Sequence, residues 1–94
     1  MNIIWNEGKE QQNFAKHGLD FSLAPYVITD PLCAVVYDRY ENGEHRYHAV
    51  GVVAGKCLVL VHTYPDPDDE DSIRVIGLRK AEAHERKRYE EGND

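Results

Sequence analysis

The apolar and polar positions divide the chain into a short helical start and a long strand-rich middle. Asn2–Trp5 (NIIW) is β-favouring and reads as an edge strand. Asn6 suits a helix N-cap, and Glu7 the first turn, where a carboxylate complements the helix dipole. That helix runs to about His17 and stops at Gly18, a natural left-handed C-terminal residue. A second short helix is expected over Ser22–Thr29, capped by Ser22, with Pro25 at the third helical position where its missing N–H does little harm. Asp30-Pro31 ends it.

The pattern then turns to strands. Cys33–Asp38 is β-branched and aromatic, Asn42-Gly43 is a strong hairpin signal, and His45–Val53 follows. Ala54-Gly55 turns the chain into Cys57–Thr63. After an acidic loop come a short strand over Ser72–Gly77 and a helix from about Leu78 to Glu91. On that helix Leu78, Ala81, Glu85 and Tyr89 share one face, with Arg79 and Arg86 beside it. A carboxylate on the inward face calls for a cation, since an unpaired buried charge is expensive. Arg46 and His48 share a face of their strand, which makes Arg46 a candidate partner for Glu85. The order predicts an α+β fold: an antiparallel meander packed by two N-terminal helices and one C-terminal helix.

Charge changes this picture. The chain holds 17 carboxylates against 11 Lys and Arg, a net charge of -6. Yet six of the eleven cations lie in residues 72–90, while residues 65–71 (PDPDDED) hold five carboxylates. A basic end on an acidic chain suits an anionic partner such as a phosphate backbone. The chain, residues 1–94, reads as one domain with an acidic loop at 65–71 and a short tail at 92–94. Cys33 and Cys57 sit in apolar runs and read as core residues. The start lacks the pattern of a signal peptide, and no apolar run has the length of a membrane span, so a cytoplasmic protein is expected.

A set of short motifs then narrows the reading. Lys16-His17-Gly18 with Phe21 and Ala24, Asp30-Pro31, and Gly43-Glu44-x-Arg46 with Gly51 come first. Ile73-Arg74-x-Ile76, Arg79-x-Ala81 and Glu85-Arg86-x-x-Tyr89 complete it. In this order and spacing they resemble the BrnT family, small ribonuclease toxins of type II toxin–antitoxin systems with a fold similar to the RelE toxins. The chain departs from the pattern at Asn6, at Ile28, at Gly77-Leu78 and in its longer, more acidic loop over Tyr64–Asp71.

The resemblance implies RNA cleavage that inhibits translation, without metal or cofactor and restrained by a cognate antitoxin. Such cleavage needs a base for the ribose 2′-hydroxyl, cations for the phosphorane and an acid for the leaving 5′-oxygen. His17, Glu44 or Glu85 fits the base, and His17 or Tyr89 the acid. Arg46 and Arg79 fit the catalytic cations, while Lys16, Arg74 and Arg86 fit RNA-binding positions. Among five histidines none has zinc-site spacing, although His45 and His62 read as cross-strand neighbours. The expected partners are RNA, an antitoxin of the ribbon-helix-helix-like BrnA type and, only through the antitoxin complex, operator DNA. A non-catalytic toxin-fold subunit, acting with its antitoxin on operator DNA, is the alternative reading.

Overall fold

The four β-rich runs form one sheet, and the short first strand joins it at one edge. The computed structural model describes residues 1–92; Asn93 and Asp94, the end of the predicted tail, lie outside the described residues. The elements are β1 (Asn2–Trp5), α1 (Glu7–His17), a 3₁₀ turn (Phe21–Leu23), α2 (Ala24–Ile28), β2 (Ala34–Glu41), β3 (Glu44–Val53), β4 (Lys56–Thr63), β5 (Ser72–Lys80) and α3 (Ala83–Glu91). The class is α+β, but the five-stranded sheet is mixed rather than a plain antiparallel meander. Its order is β1-β5-β4-β3-β2, with β1 parallel to β5 and the other pairs antiparallel. The meander leaves the outer edge of β5 open, and the apolar β1 satisfies it.

α1 guards the rest of that edge. β1 pairs only with residues 72–75, and beyond it the Asn13 side chain stands in for a strand partner. Its Nδ2 donates to the Leu78 carbonyl at 2.9 Å and its Oδ1 accepts from the Leu78 N–H at 3.0 Å. The helix has the predicted ends: Asn6 accepts from the Lys9 N–H, and Gly18 closes it at φ 69°.

The core lies between the sheet and the segment Leu19–Val27, where Phe21, Ala24 and Val27 meet Ala49, Leu58, Leu60, Val75 and Leu78. The approach is tightest at Gly51, where an added Cβ would stand 2.7 Å from the Val27 carbonyl oxygen. Glycine is therefore required there by space rather than by backbone angle.

Two predicted boundaries need correction. The second helix begins as a 3₁₀ turn at Phe21 and is capped by Asp20, whose Oδ1 accepts from the Ser22 N–H at 2.8 Å, so Ser22 is not the cap. The last strand is longer than expected and the last helix shorter. Leu78, Arg79 and Lys80 belong to β5, where they pair with Leu60, Val59 and Leu58. Ending the strand at Gly77 would leave that part of β4 paired with β3 alone and open on its other side. The helix starts instead at a capping box, in which the side chains of Glu82 and Glu85 each accept from the other's backbone N–H.

Candidate functional site

Residues directly opposite each other in a sheet share a face, and each strand alternates faces along its length. Gly51 faces α2, so the row Lys80–Leu58–Gly51 and the row Leu78–Leu60–Ala49 point to the helical layer. Arg79 lies opposite Val59, and Val59 opposite Val50, on the other face. His48, Arg46 and Glu44 step back from Val50 by twos and point the same way. Arg74, opposite Thr63, joins them. In an unbroken strand Arg74 and Arg79 would point to opposite faces. A bulge prevents this: Val75 pairs with His62 and Gly77 with Val61, which leaves Ile76 unmatched and turns Arg79 onto the face of Arg74.

α3 supplies the central carboxylate of this face. Glu85 accepts from Arg79 Nη1 at 2.7 Å and Nη2 at 2.9 Å, and its Oε1 also accepts from the Glu82 N–H at 2.8 Å. One side chain thus caps the helix and fixes a guanidinium. The Arg79 fork, helped by the Glu82 N–H, outweighs burial and holds the Glu85 carboxyl down at about 2. Beside the pair stands His48, with Nδ1 at 3.9 Å from Glu85 and Nε2 at 3.4 Å from Asp38. Arg79 Nη1 also donates to the Lys80 carbonyl at 3.3 Å. A guanidinium has five N–H donors, so among the described residues Nε and one hydrogen of Nη2 remain for an anion.

The same face continues toward the β2–β3 hairpin. Arg46 Nη1 lies 3.0 Å from Glu41, and Arg74 Nη2 is bonded to Glu44. Arg46 therefore pairs with Glu41 and not with Glu85, contrary to expectation. α3 begins only a few residues after β5, so Glu85 is delivered to the end of β5, while Arg46 lies near the hairpin end of β3. Lys9 lines a shallow hollow with Glu44, Arg46 and Arg74. The array offers several arginines, each already balanced by a carboxylate of the chain.

The comparison with protein families fits an array of this kind. The family model described as the ribonuclease toxin BrnT of type II toxin–antitoxin systems matches residues 5–85. The chain belongs to the BrnT family. Among curated proteins no relative matches it. The BrnT match takes in Glu44, Arg46, His48, Arg74, Arg79 and Glu85, whereas Arg86 and Tyr89 lie beyond its end.

The remaining predicted positions fall elsewhere in this BrnT chain. Lys16 and His17 are exposed at the end of α1 and make no ion pair or side-chain hydrogen bond among the described residues. The Tyr89 hydroxyl donates to Asp30 at 2.6 Å, a bond that pushes its own pKa up to about 12. It clasps α3 to the loop after α2, and the same Asp30 carboxylate accepts from the N–H groups of Leu32 and Val52. Arg86 lines a separate hollow with Lys56, Lys80 and Tyr89. His45 is opposite Tyr40, and His62 opposite Tyr47, so the two histidines are not cross-strand neighbours. Cys33 and Cys57 are half-buried free thiols, and burial pushes Cys33 up to about 11.

His48, Asp38 and Glu41 were not among the sequence candidates. For His48 a signal existed in its alternation with Arg46. Asp38 and Glu41 needed the pairing of β2 with β3 to be placed. Among the described residues no three His, Cys, Asp or Glu side chains gather as metal ligands would, and no helix is long and apolar enough to cross a membrane.

Proposed function

We propose that this chain is an endoribonuclease toxin that cleaves RNA without a metal ion on the open face of its sheet. The observation that carries the reading is the Arg79 fork, fixed by Glu85 with two donors to spare, next to the imidazole of His48. In the proposed reaction the His48 imidazole, which stands beside the Arg79–Glu85 pair, takes the proton of the ribose 2′-hydroxyl. The 2′-oxygen bonds to phosphorus, the bond from phosphorus to the 5′-oxygen breaks, and a solvent water protonates that oxygen while the hydroxide it leaves takes up the proton held by His48. The products are a 2′,3′-cyclic phosphate and a free 5′-hydroxyl. Arg79 stabilises the phosphorane charge through its free N–H groups. Arg46 and Arg74 hold neighbouring phosphates once these displace Glu41 and Glu44. Glu85, ionised throughout, orients Arg79 rather than moving protons, and Tyr89 is too firmly held by Asp30 to serve as the acid. Lys16, His17 and Arg86 lie outside this centre and extend the contact with the RNA strand.

On this reading the fold is related to the RelE toxins, cleavage stops translation in the cytoplasm, and a cognate antitoxin of the ribbon-helix-helix-like BrnA type neutralises the chain and carries it to operator DNA. Membership of a type II toxin family supports the partner. The internal pairing of Arg46, Arg74 and Arg79 favours a second reading, a non-catalytic subunit that acts only through the antitoxin complex. Induced expression of the chain alone separates them. The ribonuclease reading expects growth arrest by the wild type and none by a soluble Arg79→Ala variant. Normal growth with soluble wild-type protein would decide for the second reading.

A further inference from the structure

The opposite face of the sheet carries a feature that RNA cleavage does not use. Tyr37, Tyr47 and His62 lie in one cross-strand row that runs from the free edge of β2 to the buried Val75. Their rings touch in series: Tyr37 meets Tyr47 edge-on at 5.5 Å, and Tyr47 stacks on His62 at 5.9 Å. Tyr64 closes the group, edge-on to Tyr47 at 4.9 Å. Tyr37, Tyr47 and Tyr64 line an open groove of about 500 Å³ whose other walls include Pro65, Pro67, Glu44 and Glu70, with the buried His62 ring behind them. Above it, β2 is an outer strand whose free edge has no strand partner among the described residues, and its Val35, Tyr37 and Tyr40 are 48%, 51% and 62% exposed.

An aromatic groove beside an open strand edge takes either stacked bases or a peptide. The charge decides between them. The loop that walls the groove holds Asp66, Asp68, Asp69, Glu70 and Asp71, and within a few ångströms such a wall repels a phosphate backbone. The same wall attracts lysine and arginine, whose cations also rest favourably on tyrosine faces. We infer that the β2 edge and the aromatic groove together dock an extended, cationic segment of a partner protein, with its basic side chains over Tyr37 and Tyr47 and toward Glu70. Main-chain bonds to β2 give the affinity, and every second side chain enters the groove. The inference stands on this face alone and does not depend on the ribonuclease reading.

A random peptide library selected on the full chain, with Tyr37→Ala in the counter-selection, tests it. The expected winners are lysine- or arginine-rich peptides that bind the wild type and lose about tenfold or more on Tyr37→Ala, as for an aromatic anchor. The same peptides weaken on Glu70→Gln and bind Arg79→Ala unchanged, which keeps this result separate from any outcome for RNA cleavage. No enrichment on the wild type, or acidic and neutral winners, would overturn the inference. So would a single-stranded RNA that binds the wild type and is lost on Tyr37→Ala, or a self-association of the chain lost with the same substitution.

Discussion

Two single residues show how little room the packing leaves. A methyl group at Gly51 would press on the Val27 carbonyl, which is backbone and cannot swing aside. Gly51→Ala should therefore cost about 1–3 kcal/mol, read in urea unfolding. His62 is fully buried between Tyr47 and Tyr64, and burial pushes its pKa down to about 4 from 6.5. The unfolded chain binds this proton more readily, so the stabilising effect of a neutral His62 is complete above pH 6.5 and is lost as pH falls toward 4. His62→Phe should flatten stability across that window, in unfolding midpoints measured along a pH series. An unchanged slope would mean that other groups set it.

At the scale of elements, the ends of β5 and α3 decide the site. Apolar spacing alone made Leu78, Glu85 and Tyr89 look like one helical face, and that reading put Arg79 on the wrong element. The capping box of Glu82 and Glu85 was present in the sequence and marks the true start of α3. The bulge at Ile76 was not legible, because nothing in a short β-branched run announces which residue will be left unpaired. A cation for Glu85 was rightly expected from the cost of burying a lone charge, but its identity required the chain path. Since the folded pKa of Glu85 is about 2 against an ordinary 4.5, its contribution is full above pH 4.5 and fades as pH falls toward 2. Glu85→Gln should reduce the loss of stability within that interval, seen by acid unfolding of both proteins.

At the scale of the whole molecule, the two faces of one sheet offer different chemistry. One gathers Arg46, Arg74 and Arg79, each paired with a carboxylate, beside His48, while the aromatic groove on the other face is walled by acid. The α+β class, the first helix with both its ends, and the two hairpins were readable because each rests on local chemistry: an Asn cap, a Gly stop, Asn-Gly and Ala-Gly turns. The parallel β1 was not, since long-range pairing leaves no mark on a four-residue run beyond its apolarity. Family motifs singled out Glu44, Arg46, Arg74, Arg79 and Glu85, which the sheet and α3 bring to one face; His17, Lys16 and Tyr89 shared the motifs but not the place.

The central claim is that this face cuts RNA through Arg79 and His48. The direct measurement is cleavage of an end-labelled RNA by the purified chain in the presence of a chelator, with the new ends identified. The account predicts fragments ending in a 2′,3′-cyclic phosphate. It also predicts rates lower by about 10²–10⁴ in folded His48→Gln and by about 10²–10³ in folded Arg79→Ala. Cleavage that needs a metal ion, or that proceeds unimpaired in both variants, would contradict it, as would a folded wild-type chain that leaves RNA intact.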